Sequence, residues 1–218
     1  MDQNEIWKKI CDLYAKTKRL TIQAEELSLD FKAFLQPLKE LRDAYDHIIR
    51  AKSAELDILK KDEKYIITNY DKALGHQYRA FFDSADYISI RIREKIQAIL
   101  EKYSSANIQA VIPTYYPTIR PELEKIKLRI AQYRIDKDIE DESTQDLNGL
   151  LQISEQYDKD VLELLNFLKD IQLRIPALEE FKIKEKKHFR LKMVPWDLFK
   201  IALGGAIALL ITWLFKSR

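Results

Sequence analysis

The chain has 218 residues, of which 33% are charged, yet 37 Lys and Arg nearly balance 35 Asp and Glu to leave a net charge of +2. This balance argues against a general nucleic-acid binder, and Cys11, the one cysteine, provides neither a disulfide framework nor a thiolate metal cluster. Two of the four glycines lie in an apolar run near the carboxy terminus, and so few turn residues elsewhere argue against a fold built from sheets.

The first hundred residues predict three amphipathic helices. Apolar residues recur at helical spacing over residues 4–29 and again over residues 30–59. A third stripe, free of proline, covers residues 62–103 and is interrupted only by Gly75. Because about forty residues far exceed the average helix length, we expect either a rod or a helix that bends near this glycine.

A dense group of charged and imidazole side chains lies on the second and third predicted helices. Its members recur three and four residues apart: Arg42, Asp43, Asp46, His47 and Arg50 on the second helix, and His76, Arg79, Asp83 and Asp86 on the third. If the two helices are antiparallel neighbours, these side chains meet between them.

Four kinds of site could use such a group. A carboxylate-bridged metal site needs Glu-x-x-His pairs on two helices, and neither of these segments supplies one. A hydrolase needs a nucleophile in a recognisable elbow, and no serine or cysteine lies in one. We therefore predict no metal, no cofactor and no enzymatic activity. Two interpretations stay open. The charges form salt bridges that fix the helix register, or the Arg and His side chains bind a phosphate-bearing ligand while Tyr45 and Tyr78 stack a base.

Residues 106–121 differ from the helices on either side. Pro113, Pro117 and Pro121 recur every four positions, and each removes a helical donor and pushes the preceding residue toward extended geometry. We therefore predict a connector between an amino-terminal sensor part, residues 1–105, and a helical hairpin or stalk, residues 122–181. From Tyr157 to Leu178 apolar residues alternate four and three apart, a heptad pattern that packs either within its own bundle or against another copy.

The carboxy-terminal part predicts a membrane anchor. Residues 201–215 carry no charge, and with the turn from Pro195 the run reaches about twenty residues, close to what a helix needs to cross a bilayer core. Trp196 and Trp213 at its ends suit the headgroup boundary. A basic linker at residues 182–194 precedes the predicted span at 195–215 and outweighs the short tail at 216–218, which indicates that the preceding domain is cytoplasmic.

Small and polar residues fall on one stripe of this predicted span. At 100° per residue the stripe contains Asp197, Lys200, Gly204, Ala208 and Thr212. Small residues four apart let helices approach closely, which predicts a homo-oligomer whose stripe faces a central axis that several copies could enclose as a pore. In the alternative, Asp197 caps the helix and Lys200 reaches the headgroups, so that the span only anchors the chain.

Two segments of the chain read LKELRDAYDHIIRA and LGHQYRAFFDSADYI. These segments and the layout of the chain resemble the helical sensor part of membrane effectors in bacterial antiphage systems, notably the membrane component of the Hailong type. The resemblance covers residues 30–95 and the position of the span. It implies an oligomeric channel in the inner membrane, controlled by a nucleotide or oligonucleotide that a partner nucleotidyltransferase makes. The residues that it implies for ligand contact are Arg42, His47, Arg50, His76 and Arg79.

The sequence therefore predicts an all-α protein, a cytoplasmic bundle of long helices followed by a single carboxy-terminal transmembrane helix. We expect a homo-oligomer in contact with lipid that permeabilises the bacterial inner membrane under the control of a ligand. The alternative from another class is a tail-anchored helical scaffold that recruits a cytoplasmic partner to the membrane.

Overall fold

The computed structural model describes residues 3–27, 35–140 and 147–216, and every regular element within these ranges is helical. The prediction of an all-α fold is confirmed. The elements are α1 (Gln3–Leu27), α2 (Leu35–Glu55), α3 (Glu63–Leu100), α4 (Ser105–Val111), a π-helical turn (Tyr115–Ile119), α5 (Arg120–Glu140), α6 (Leu147–Leu173) and α7 (Ile175–Lys216).

Helix α3 is the element around which the other helices pack. It has 38 residues, about 57 Å of helix, and passes the buried Gly75 without a break. Its first half contacts α1, where the ring centroids of Trp7 and Tyr70 lie 5.7 Å apart. It also contacts α2, whose fully buried Ala44 and Ala51 have side chains small enough for the two backbones to come close.

A short loop reverses the chain between α2 and α3. Asp57 adopts a φ of 56°, a left-handed conformation that Asp tolerates better than most residues. The Asp62 carboxylate then accepts a hydrogen bond from the Tyr65 N–H over 2.9 Å and caps α3. Helix α2 therefore ends at Glu55, before the predicted end at residue 59, because the chain turns there.

The second half of α3 packs against α6 in an aromatic cluster. Tyr157 of α6 lies edge-on to Phe81 and Phe82, with ring centroids 6.4 and 5.6 Å apart, and tilts against Tyr133 of α5 at 5.2 Å. Of the seven heptad residues, Ile175 is partly buried and the other six are buried: Tyr157, Val161, Leu164, Leu168, Ile171 and Leu178. The heptad pattern therefore packs within the chain's own core, the first of the two interpretations.

A buried carboxylate joins α5 to α6. Asp160 is 1% exposed and accepts hydrogen bonds from Arg129 Nη2 at 2.8 Å and from the Tyr133 hydroxyl at 2.9 Å. Burial raises the pKa of Tyr133, and the bond to Asp160 raises it further, so the phenol stays protonated. These contacts fix the antiparallel register of α5 and α6, and nothing in the apolar pattern indicates them.

The proline-rich segment forms helical turns instead of an extended connector. Ile112, which precedes Pro113, leaves the helical region with φ −125° and ψ 73°. The chain then closes the π-helical turn, in which the Ile119 N–H donates to the Thr114 carbonyl over 3.1 Å. Pro121 follows in the first turn of α5, where a missing N–H is tolerated. The expectation of extended geometry is therefore wrong beyond Pro113.

Helix α7 continues from the bundle through the basic linker into the apolar run. Helix α6 ends at Leu173, Arg174 forms a turn, and Pro176 lies in the first turn of α7, where it does not break the helix. At 42 residues α7 is about 63 Å long. The predicted divisions at 182–194 and 195–215 therefore both lie within one helix.

In the part of the chain that the structure describes, no helix has the length and apolar character needed to cross a membrane. The transmembrane part of the predicted fold has no support here and stays a prediction. Of the predicted stripe, Lys200, Gly204 and Thr212 are exposed on α7. The side chains of Asp197 and Ala208 lie outside the described residues.

Candidate functional site

Helices α2 and α3 run antiparallel and bring part of the predicted cluster together. Glu40, early in α2, contacts His76 and Arg79 of α3, whereas His47, further along α2, contacts Asn69, nearer the start of α3. The His47 and His76 rings are nearly parallel, with centroids 5.4 Å apart and an interplanar angle of 20°. Three of the five predicted ligand contacts, His47, His76 and Arg79, therefore lie together.

Glu40, the residue around which this site is built, is absent from the sequence prediction. Its side chain is 8% exposed, and its Oε2 accepts a hydrogen bond from Arg79 Nε over 2.9 Å and lies 2.8 Å from His76 Nδ1. A signal exists in the sequence, because Glu40 precedes His47 by seven residues and therefore shares its face of α2.

The surroundings of Glu40 keep its carboxylate charged. Burial by itself raises the pKa of Glu40, but hydrogen bonds from His76 and Arg79, together with their charges, outweigh burial and leave the pKa below its ordinary value. Removing the partners would leave an uncompensated buried charge. Arg79 therefore acts as the structural partner of Glu40, which agrees with the salt-bridge interpretation of the cluster.

The hydrogen bonds define which ring nitrogen of His47 carries the proton. Asn69 donates from Nδ2 to the Tyr65 carbonyl over 2.8 Å, so its Oδ1, 2.9 Å from His47 Nδ1, is an acceptor. His47 must then donate from Nδ1. In the neutral ring Nε2 is left as an acceptor, and in the protonated ring it becomes a second donor.

Nδ1 of His76 lies between an acceptor and a donor. It is 2.8 Å from Glu40 Oε2 and 2.8 Å from Arg79 Nη2. A carboxylate only accepts and a guanidinium only donates, so this nitrogen bonds to Glu40 when protonated and to Arg79 when it is not. The partner of this nitrogen therefore depends on whether Nδ1 carries the proton, and it can change without a movement of the helices.

The other two predicted ligand contacts lie outside the helix interface. Arg42 pairs with Asp43 and Arg50 pairs with Asp46, each over 2.8 Å and each on α2 itself. The Arg42 side chain is 72% exposed and that of Arg50 is 54% exposed. Both line an open groove of about 640 Å³ that also reaches the two histidines, so a ligand in this groove could contact all four.

Two residues assigned to the cluster face elsewhere. Tyr78 is 4% exposed, and its ring packs 4.5 Å from that of Phe82 in the core, so it cannot stack a base. Asp86 lies toward α5 and α6, where it accepts hydrogen bonds from the Tyr157 hydroxyl at 2.5 Å and from Arg134 Nε at 2.9 Å. Neither side chain can contact a ligand in the groove.

A row of exposed side chains runs along the outer face of α2. Its members alternate three and four residues apart: Leu35, Leu38, Arg42, Tyr45 and Ile49. This is the spacing by which helices associate along a seam. The outer face of α2 is therefore suited to a second helix, and Tyr45 belongs to this face.

Two imidazoles and a buried carboxylate are groups that also bind metal ions. Across residues 3–27, 35–140 and 147–216, however, no three or more His, Cys, Asp or Glu side chains are placed to hold a metal.

Comparisons with protein-family models, curated proteins and solved structures give no match to the chain.

Proposed function

We propose that the chain is a ligand-controlled membrane effector that assembles as a homo-oligomer and permeabilises the bacterial inner membrane through its carboxy-terminal apolar run. The observation that carries the proposal is the continuity of α7, which extends from contacts with the bundle into the uncharged residues 201–215. Because the helix has no break, a shift or rotation of its packed end is transmitted to its far end.

The packed end of α7 is attached to the corner between α3 and α4. Glu179 accepts a hydrogen bond from the Tyr103 hydroxyl over 2.7 Å, and Glu185 accepts one from Asn107 Nδ2 over 2.6 Å. Leu178, the residue before Glu179, is fully buried. A movement of the carboxy-terminal end of α3 therefore reaches α7 through direct contacts.

The groove along α2 and α3 supplies the proposed point of control. Arg42 and Arg50 present guanidinium groups at its rim, and His47 presents Nε2; these groups bind phosphate oxygens. Helix α3 contributes to this groove and also ends at the attachment of α7. The resemblance to Hailong-type membrane effectors favours a nucleotide or oligonucleotide as ligand and a cytoplasmic position for the bundle.

Release of a self-quenching dye from liposomes tests the proposal. The full chain should release the dye, and ATP, a cyclic dinucleotide or a short oligonucleotide should change the rate. A chain that ends at Lys192 keeps the bundle and the basic residues but lacks the apolar run, so it should release none. If the full chain inserts, as judged by resistance to alkaline extraction, and releases no dye under any of these conditions, the proposal is wrong.

A tail-anchored scaffold is the second candidate, and the exposed row on α2 favours it. Leu38, Tyr45 and Ile49 are 54%, 64% and 44% exposed, so a partner helix could bury apolar surface on this face. In this alternative the full chain binds vesicles and releases no dye. Tyr45→Glu would then prevent association of the partner helix with α2 and leave membrane attachment unchanged.

A further inference from the structure

A second concave region lies at the other end of α3, away from the groove between α2 and α3. It is bounded by the second half of α3, the π-helical turn and the first turns of α5, and it encloses about 600 Å³. Volumes of this size are typical of small-molecule sites. Ile96 and Leu100 give it an apolar floor, and Tyr115 and Tyr116 lie on one wall.

Arg93 is the unusual residue in this region. It is partly buried, and burial lowers the pKa of its guanidinium. Repulsion from Arg134 adds to this effect, and attraction to Tyr157, Glu124 and Glu94 partly opposes it. Among the described residues Arg93 has one hydrogen-bond partner, the Ser89 carbonyl, to which its Nε donates over 3.1 Å. No described carboxylate lies within ion-pair distance of it. Arg side chains that are partly removed from water are usually paired, so the Nη groups of Arg93, which have no carboxylate partner among the described residues, offer a place for an anion.

Neighbouring carboxylates form ion pairs with other cations. Glu94 pairs with Arg91 Nη1 at 2.8 Å, and Glu124 pairs with Lys127 at 3.3 Å. Both carboxylates attract the charge of Arg93, but neither forms an ion pair with it. The third acidic residue of the rim, Glu101, is exposed to solvent.

The opposite wall supplies a second guanidinium and two aromatic rings. Arg120 lies beside Tyr115 and, within the described ranges, has no carboxylate partner. The Tyr115 and Tyr116 rings meet edge to face, with centroids 5.0 Å apart. Both side chains start in the π-helical turn, and turns of this kind occur frequently at functional sites.

We propose that this groove binds a small organic anion with an aromatic body, whose carboxylate or phosphate group is bound by Arg93 and attracted by Arg120. Guanidinium groups bind either oxyanion through paired hydrogen bonds. The tyrosine rings and the apolar floor suit a planar body. The site is separate from the groove between α2 and α3, so the proposal stands independently of membrane permeabilisation.

Calorimetric titration of the full chain with matched naphthalene compounds tests this site. 1-Naphthyl phosphate and 1-naphthoate carry the two anionic groups on one ring system, and 1-naphthol carries no charge at neutral pH. Both anions should bind, and 1-naphthol should bind about tenfold more weakly or worse, the scale of a lost charge-assisted hydrogen bond. The tighter anion identifies the preferred head group. Equal binding of 1-naphthol, or no binding of either anion, overturns the proposal.

Variants of Arg93 locate the site. Arg93→Gln should weaken binding of both anions about tenfold, and Arg93→Lys should lose less because the charge is kept. Lys18→Gln removes an exposed cation of α1 that lines neither groove and is the control, with no expected change. Equal losses in Lys18→Gln and Arg93→Gln would show unspecific binding and end the proposal. If Arg93→Gln does not fold, Tyr116→Leu tests the opposite wall of the groove. An unchanged affinity of Tyr116→Leu for both anions would then contradict the proposal.

Discussion

Arg79 Nε donates a hydrogen bond to Oε2 of Glu40 over 2.9 Å and so joins α3 to α2 where the carboxylate is only 8% exposed. The same oxygen lies 2.8 Å from Nδ1 of His76. Three ionisable groups from two helices therefore depend on one another at this point. Removing His76 or Arg79 takes away a hydrogen bond that helps to hold the pKa of the Glu40 carboxyl below its ordinary value.

The first prediction concerns the free energy of unfolding. Arg79→Ala leaves the Glu40 carboxylate without its guanidinium partner and should lower the free energy of unfolding by about 2 kcal/mol, less than for a fully buried pair because Arg79 is 35% exposed. Arg42→Ala, at a side chain that is 72% exposed, should change it by about 0.5 kcal/mol or less. Urea unfolding of both variants measures the difference, and similar losses would contradict the assigned role of Glu40.

The second prediction concerns acid. The pKa of Glu40 is below its ordinary value of 4.5 in the folded protein, so the unfolded chain takes up this proton first as the pH falls. The carboxylate therefore stabilises the fold above about pH 4.5, and this contribution is lost as the pH falls through the lowered pKa. Glu40→Gln should be less stable at neutral pH and should have a flatter pH dependence in acid.

Asp46→Asn is the matched control for this measurement. Asp46 pairs with Arg50 on the surface of α2, where its side chain is 56% exposed. Its removal should therefore leave the acid dependence of unfolding close to that of the unaltered protein. Parallel curves for the unaltered protein and Glu40→Gln would show that another carboxyl is responsible.

The helices could be predicted from the sequence because each one buries a continuous apolar stripe. Val161, Leu164 and Leu168 recur at helical spacing and are all buried. The orientation of the polar residues on α3 could not be predicted in the same way. Periodicity gives the residues that share a face, but not the helix that covers that face, and α3 is covered on several sides. Asp86 consequently bonds to Arg134 of α5 and not to α2.

The proline-rich segment shows a second limit of local reasoning. Each proline restricts the residue before it, and Ile112 follows that rule. Ile112 is fully buried and Ile119 is 4% exposed, and burying both side chains keeps the segment against the core. Pro113 lies in the turn after α4, whereas Pro117 and Pro121 lie near the starts of the π-helical turn and of α5, where a missing donor costs little. Packing therefore decides the conformation of this segment.

The third prediction concerns the attachment of α7. Burial and the nearby Glu179 carboxylate, which accepts the phenolic hydrogen bond, raise the pKa of Tyr103 to about 12, so the bond persists at neutral pH. Tyr103→Phe should weaken the attachment by about 1 kcal/mol and speed amide hydrogen exchange at residues 175–187. Tyr45→Phe, at an exposed ring, is the control. Unchanged exchange in Tyr103→Phe would mean that this bond does not hold α7.

The fourth prediction concerns membrane attachment. A chain that ends at Lys192 keeps the basic residues of α7 but loses the apolar run, so it should leave vesicles when the salt concentration is raised, because a polybasic segment contributes roughly 1 kcal/mol per charge. The full chain should resist both salt and alkaline extraction. Sedimentation of anionic vesicles measures both. If the full chain also washes off with salt, residues 195–215 do not span the membrane.

The last prediction concerns the stripe on α7. Ala208 lies on it, whereas Ala206 lies about 160° away from Ala208 at 100° per residue, on the opposite side of the helix. Both substitutions to Leu change helix propensity alike, since both replace an alanine in the same helix. The two variants are therefore matched in everything but the face that they alter.

Ala208→Leu should shift the protein toward smaller oligomers, because the enlarged side chain stands where helices from different copies are expected to touch. Ala206→Leu should leave the oligomer unchanged. The mass of each protein in detergent, from sedimentation velocity, measures the outcome. If both variants dissociate equally, or neither does, this stripe is not the contact between copies, and assembly must be sought elsewhere, first on the exposed row of α2 with Tyr45 at its centre.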